Sequence, residues 1–289
     1  MMNAISKYAS LVRFAHTVFA MPFALTGFVY GYVTTSAPTT AWGWLLVQVV
    51  LCMVLARNTA MGFNRWADRY IDAQNPRTVD RDIPAGRISA RAALAFVVVN
   101  ALLFVVVAST INSLTALLSP VALLVIMAYS YCKRFTAAAH LVLGLSLSIA
   151  PVGAYIAVTG QFTVAPCILA LLVLTWCGGF DIIYALQDAA FDRTRGLHSI
   201  PSHFGATKAL AISCMLHVVS VVSLLWFGSY CPQTLLLWSG EAVFVVLLVL
   251  QHILVTPTRQ KNIGIAFGTL NGVASLVLAT AVVADLLLF

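Results

Sequence analysis

The sequence predicts an all-α, polytopic integral membrane protein with about nine transmembrane helices around a central cavity open to the cytoplasmic side. Hydrophobic residues make up 61% of its 289 residues and charged residues only 9%. Apolar runs long enough to cross about 30 Å of hydrocarbon as helices recur along the chain. Seven of the nine acidic residues fall in two short clusters, Asp68–Asp82 and Asp181–Asp192, each beginning near the end of such a run. Carboxylates are costly near a bilayer and persist there mainly where function needs them.

The nine spans run over roughly residues 14–34, 42–66, 91–111, 114–131, 137–159, 163–185, 207–228, 232–255 and 262–288, and the links between them leave no room for a separate soluble domain. Lys7 and Arg13 ahead of the first run resemble the charged start of a signal peptide. Eight further spans and the lack of a convincing cleavage site lead us to expect that the first helix is retained. Orientation follows from charge. Of 16 Lys and Arg residues only Arg57 lies well inside a span. The others gather at the N-terminus and near alternate links, whereas residues 35–41, 112–113, 160–162 and 229–231 contain none. By the positive-inside rule the N-terminus and both aspartate clusters are cytoplasmic, and the C-terminus lies on the far side. The net charge of +7 is then explained by topology and attraction to anionic lipids, with no call for nucleic acid. Six cysteines (52, 132, 167, 177, 214 and 231) show neither paired zinc spacing nor a redox pair.

The two long cytoplasmic links share a grammar. The first runs from Asp72 through Arg77 and Thr78 to Ile83 and Pro84; the second runs from Asp192 through Arg193 and Thr194 to Ile200 and Pro201. Duplication of a helical unit and chance likeness of short polar links both account for this. Pro76, Pro84 and Gly86 mark the first link as a loop, and Gly196, Pro201 and Gly205 mark the second. Pro22, Pro120 and Pro151 sit in or beside spans, as kinks or helix starts.

Each cluster contains an Asp-x-x-x-Asp pair, Asp68/Asp72 and Asp188/Asp192. On a helix that spacing stacks two carboxylates on one face, about 6 Å apart along the axis. Arg57, Asn64, Asp68 and Asp72 fall within an arc of about 80°, and Asp181, Tyr184, Asp188 and Asp192 within a similar one. The bland alternative is that the aspartates cap helix ends or pair with Arg65, Arg69, Arg77 and Arg193. Two matching pairs favour a divalent cation, and magnesium suits them best. It prefers oxygen ligands, keeps several waters and bridges carboxylates to a substrate phosphate. His198 and His203 lack a matching zinc ligand set. His16, His140, His217 and His252 read as structural or interfacial, and the chain has no phosphate-cradling glycine-rich loop.

Asn64-x-x-x-Asp68-x-x-x-Asp72 with Asp188-x-x-x-Asp192 resembles the paired motif of the UbiA superfamily of intramembrane prenyltransferases. Arg57 precedes Asn64 by seven residues, as in that family. Arg81-Asp82-Ile83-Pro84-Ala85-Gly86 resembles its Arg-Pro-Leu-Pro-Ser-Gly loop. Tyr129, Lys133, Arg134 and Thr136 match its Tyr-x-x-x-Lys-Arg-x-Thr segment, and Tyr184 completes the second motif. The pattern covers about residues 57–205. One position departs: Arg65 follows Asn64 where the family often carries aspartate, which removes one potential carboxylate from the first motif. Phe63-Asn64-Arg65, Arg77-Thr78 and Gly196–Pro201 look most like a bacterial quinone-biosynthesis branch, whose members include 4-hydroxybenzoate polyprenyltransferases and enzymes of the futalosine route to menaquinone.

The resemblance implies one transmembrane domain over residues 1–289, seated in a bacterial inner membrane. It implies magnesium-dependent transfer of a polyprenyl group from its diphosphate to an aromatic acid of the 4-hydroxybenzoate or hydroxynaphthoate type, in ubiquinone or menaquinone biosynthesis. Asp68, Asp72, Asp188 and Asp192 would hold the metal with Asn64 assisting, and Arg77, Lys133 and Arg134 would close round the diphosphate. Arg57 is a candidate for the acceptor carboxylate or for bracing a helix end, Tyr184 lies in the substrate site, and Asp181 or Asp188 would take the ring proton. A cation transporter using the same carboxylates is the rival from another class, because charged stripes also mark ion pathways. A phospholipid-head-group transferase would need an Asp-Gly-x-x-Ala-Arg motif, which this chain lacks.

Overall fold

The computed structural model describes residues 8, 11, 20–35 and 41–289, and they form an α-helical bundle. In chain order the helices are α1 (Met21–Thr34), α2 (Trp42–Ala67), α3 (Arg69–Asp72), α4 (Ala90–Ser109), α5 (Ser113–Cys132), α6 (Ala139–Thr159), α7 (Val164–Ala185), α8 (Ala189–Thr194), α9 (Ile200–Gly228), α10 (Leu235–Leu254) and α11 (Asn271–Leu288). A 3₁₀ turn, Leu186–Asp188, joins α7 to α8, and a π-helical turn, Ile265–Leu270, leads into α11. Eight of the described helical segments are long and apolar enough to span a membrane. The first expected span is described only from residue 20, so Lys7, Arg13 and His16 lie outside the described residues.

Boundaries follow local chemistry. Asn112 and Thr115 form a reciprocal capping box that starts α5 in the uncharged link. Ser199 and Ser202 do the same for α9, whose first turn also takes Pro201, where a missing amide donor costs nothing. Gly160 ends α6 in the left-handed region, φ 66°. Gly205, φ 78° and ψ 167°, breaks α9 near its start. Pro22 opens α1, whereas Pro120 and Pro151 sit inside α5 and α6.

Helix α7 is the centre of the bundle. About 67% of its apolar window is buried, against 22% for α4 and α5, which lie at the lipid-facing side. It packs against α6 and α9, and Trp176 at its middle meets Phe23, Phe180 and Phe244 with ring centroids 5.0–5.9 Å apart. Close approach needs small residues, as in other membrane bundles. A Cβ on Gly27 would collide with the Pro151 carbonyl, and one on Gly144 with that of Leu174. The π-helical turn leaves carbonyls that the regular ladder does not satisfy. Asn271 donates to two of them, Ala266 and Phe267, and accepts from Trp176 Nε1 at 3.0 Å and Gln251 Nε2 at 2.8 Å.

Candidate active site

Both Asp-x-x-x-Asp pairs sit where a long helix gives way. Asp68 is at once the C-cap of α2 and the N-cap of α3 (φ −91°, ψ 5°), so the expected stripe on one continuous helix is interrupted there. The amide of Asp72 still donates to the Asp68 carbonyl at 2.8 Å, which preserves one turn between the two aspartates. Asp188 stands at the matching break, the last residue of the 3₁₀ turn and the N-cap of α8. The likeness of the two links extends to this local geometry.

Arginines from the links reach these aspartates. Arg77 grips Asp188 with two nitrogens, Nε at 2.8 Å from Oδ1 and Nη2 on Oδ2, while its Nη1 donates to Tyr184 Oη at 2.9 Å. Asn75 Nδ2 adds a third bond to Asp188 Oδ1 at 3.1 Å. Arg81 Nη1 lies 2.7 Å from Asp72 Oδ1. Arg134 Nη2 bridges the Ala67 carbonyl (2.7 Å) and Asp68 Oδ1 (3.2 Å). Asn64 Nδ2 donates to Asp68 Oδ2 at 3.1 Å. Of the arginine partners considered from sequence, Arg77 takes such a role. Arg69 instead bonds the Trp66 carbonyl, and Arg193 the Ser202 carbonyl. Lys133, the C-cap of α5, pairs directly with none of the aspartates but acts electrostatically on Asp68, Asp188 and Asp192. The links are tied together at this end of the bundle, where the His198 amide donates to the Lys133 carbonyl at 2.7 Å.

The site is sheltered. Asp72, Asp188 and Asp192 are buried, and Asp72 Oδ2 and Asp192 Oδ2 are buried without a hydrogen-bond partner. Burial pushes the Asp68 carboxyl above the ordinary carboxylate range, and the pull of Lys133 and Arg134 does not cancel it. Burial works against the Arg77 cation, but the bonds and charge of Asp188 outweigh it and raise its pKa above the ordinary value.

Among the described residues no three His, Cys, Asp or Glu side chains converge on one point. Any one ion would therefore have at most two carboxylates from this group. That suits magnesium, which keeps waters and takes one or two carboxylates beside a phosphate. The all-oxygen donor set and the two unpartnered buried oxygens fit such an ion.

Beside the aspartates lies an apolar cavity of about 490 Å³, walled by α2, α4, α5, α6 and α7. Arg57 and Tyr129 stand in its wall nearest the aspartates, and Ile111, Thr115 and Phe162 lie toward the opposite end. Arg57 Nε is buried with no hydrogen-bond partner. Arg65, at the departing motif position, is buried, and with Arg57, Asp68 and Asp181 it acts electrostatically on Tyr129. Asn75, Arg81 and His140 escaped the sequence reading as site residues. Arg81 stood in a motif already noted; nothing in the spacing marked Asn75 or His140.

The described residues thus form a bundle with eight apolar membrane-length segments, two aspartate motifs at helix breaks and an oily cavity among the helices. The UbiA prenyltransferase family model matches residues 20–284, and the chain belongs to that family. It is 34% identical over 180 residues to the 4-hydroxybenzoate octaprenyltransferase of Tolumonas auensis, a match covering 62% of this chain and 63% of that protein, just under two thirds of its length. It is 28% identical over 238 residues to the 4-hydroxybenzoate octaprenyltransferase of Francisella tularensis subsp. novicida, covering 82% of this chain and 84% of that protein. The apo structure of a UbiA homologue from Aeropyrum pernix K1 superposes with a TM-score of 0.83 at 28% identity, over 93% of this chain and 98% of that one. A UbiA homologue from Archaeoglobus fulgidus, bound to DMAPP and Mg²⁺, shares the fold with a TM-score of 0.76 at 18% identity, over 98% of this chain and 100% of that one.

Proposed function

We propose that this chain, as one domain over residues 1–289, transfers a polyprenyl group from its diphosphate to an aromatic acid of the 4-hydroxybenzoate or hydroxynaphthoate type. The observation that carries the reading is the placing of two aspartate pairs and their basic partners at the end of helices that also wall an apolar cavity, whose lining includes Arg57 with its buried, unpartnered Nε. The names of the relatives favour 4-hydroxybenzoate as the acceptor, and the product would feed ubiquinone or menaquinone biosynthesis.

Asp68 and Asp72, with Asn64, would hold one magnesium ion, and Asp188 and Asp192 a second. Magnesium bound there supplies positive charge to the departing diphosphate. Lys133, Arg77 and Arg134 bind the remaining phosphate oxygens, and Tyr184 holds Arg77 in place through its hydroxyl. The cavity solvates the prenyl tail and keeps water from the allylic centre. The allylic C–O bond breaks and diphosphate leaves with the electron pair; a ring carbon of the acceptor forms the new C–C bond and then loses its proton. Arg57 receives the acceptor carboxylate, which would match its unpartnered Nε. Of the two carboxylates considered for the ring proton, Asp188 has both oxygens engaged by Arg77, and Asp181 is therefore the better placed.

The site faces the cytoplasmic side of a bacterial inner membrane, with the N-terminus on that side and the C-terminus opposite, as the distribution of Lys and Arg supports. The transporter alternative would need a polar path from the aspartates to the far side. The cavity walls beyond Arg57 are instead apolar apart from isolated serines and Thr115. The test is to incubate purified protein in detergent with magnesium, a polyprenyl diphosphate and a panel containing 4-hydroxybenzoate and hydroxynaphthoates, following products by mass. A prenylated acid that disappears in Asp68→Asn supports the reading and names the acceptor. Ion flux in liposomes from folded protein, with no turnover of any diphosphate, rejects it.

A further inference from the structure

His140 is fully buried at the start of α6, the second residue of the helix. Its Nδ1 lies 2.7 Å from Asp181 Oδ2, and its Nε2 lies 3.3 Å from the backbone nitrogen of Ile200. The backbone amide can only donate, so Nε2 must present its lone pair. In a neutral imidazole the proton then sits on Nδ1 and is donated to Asp181. Both ring nitrogens are thereby committed, one to α7 through Asp181 and the other to the first residue of α9. Asp181 itself lies in the same electrostatic neighbourhood as Arg57, since both act on Tyr129 and Cys177.

We propose that His140 is a positioning residue for prenyl transfer: its Nδ1–H holds the Asp181 carboxylate oxygen in one rotamer, in the neighbourhood of Arg57 and Tyr129. The inference rests on the proposed role of Asp181 as acceptor of the ring proton. It separates His140 from a purely structural histidine, because the two ring nitrogens have different consequences. The bond to Ile200 docks the return of the second link, as does the neighbouring bond from the His198 amide to the Lys133 carbonyl. The bond to Asp181 orients a carboxylate that the chemistry uses.

Two substitutions divide these bonds. In His140→Asn the side-chain amide nitrogen falls near the position of Nδ1 and can still donate to Asp181, but nothing reaches Ile200. In His140→Gln the amide oxygen falls near Nε2 and can accept from Ile200, while the donor to Asp181 is lost. We expect His140→Gln to lower kcat roughly 10- to 100-fold with the KM for the prenyl diphosphate unchanged, because a slightly misplaced group is that expensive. We expect His140→Asn to recover kcat to within about threefold of wild type even though it melts at the lower temperature of the two. In an Asp181→Asn background, His140→Gln should have no further effect on kcat, since it acts through the carboxylate already removed.

Equal losses of kcat in both variants, accompanied by equal losses of thermal stability in detergent, would make His140 a tether only and overturn the proposal. Wild-type kcat in His140→Gln alongside an inactive Asp181→Asn would overturn it while leaving the Asp181 reading intact. Full activity in Asp181→Asn would remove that reading and the His140 proposal together. Prenyl transfer itself is judged separately on Asp68→Asn.

Discussion

Asp188→Asn isolates what the second aspartate pair does. Asp188 accepts three bonds, from Arg77 Nε, Arg77 Nη2 and Asn75 Nδ2. Asparagine can keep its oxygen toward Arg77 Nε and Asn75, but it must turn an NH₂ group toward Arg77 Nη2. One charge-assisted bond is lost, and such bonds contribute about 1.5–3 kcal/mol. The Arg77 side chain is 30% exposed, so water reaches the vacated nitrogen and the lower figure applies. For a large domain, about 1.5 kcal/mol corresponds to a fall of about 3–6 °C in Tm. The variant therefore folds. Its turnover should nonetheless fall by about 10²–10³-fold, the scale of removing one electrostatic stabiliser from a charged transition state. The decisive assay is thermal unfolding in detergent with and without magnesium and a non-reactive diphosphate. Ligand at 100 times its Kd stabilises a protein by about 2.7 kcal/mol. Wild type should show that shift and Asp188→Asn almost none. Turnover within threefold of wild type, together with an undiminished magnesium-dependent shift, would refute the assignment of Asp188 to the metal site.

The raised pKa of Asp68 sets a pH dependence with two opposite signs. Metal binding needs the carboxylate, so turnover should fall on acidification at a pH above the ordinary aspartate value of about 3.9. A carboxyl raised in the folded state is penalised when ionised, so the contribution of Asp68 to metal-free stability should be largest at low pH and be lost as pH rises through its folded pKa. Titrating kcat and Tm of wild type against Asp68→Asn checks both. Arg57→Met should raise the KM for an aromatic acid at least tenfold and leave the KM for the diphosphate unchanged, as measured by varying each substrate in turn. Gly27→Val should lower Tm sharply, because even its Cβ would meet the Pro151 backbone; a melting curve matching wild type would contradict the packing described for α1 against α6.

The spans are legible in the sequence because the bilayer dictates them: a helix of about 20 apolar residues is the simplest way to satisfy every backbone group in hydrocarbon. Asp68, Asp72, Asp188 and Asp192 are legible for the complementary reason, as charges where charge is costly. The break at Asp68 is less so. A spacing of four residues is compatible with a continuous helix, and the departure depends on how the first link folds back over the end of α2. The partners of the aspartates are harder still. Arg81 reaches Asp72 from nine residues on, and Arg77 reaches Asp188 from 111 residues away. Periodicity carries no information about such contacts. His140 shows the same limit, since a lone histidine on an apolar helix reads as a core residue until Asp181, 41 residues later, is placed against it.

Two buried oxygens of the aspartate cluster lack the partners that a purely structural ion-pair network would supply. Four carboxylates, Asp68, Asp72, Asp188 and Asp192, lie among basic groups that include Arg77, Arg81, Lys133 and Arg134. Three of the carboxylates are paired directly with arginine. A network serving stability alone would satisfy both oxygens of each buried acid, because an unsatisfied buried acceptor costs about 1–3 kcal/mol. Asp188 meets that standard. Asp72 and Asp192 do not, and each keeps one buried oxygen without a partner. These two are the second aspartates of their respective pairs, at equivalent places in two links of like construction. A cation brought to either oxygen would relieve a penalty that no contact within the described residues relieves. The arginines already in place would then be available for the oxygens of an anion arriving with it.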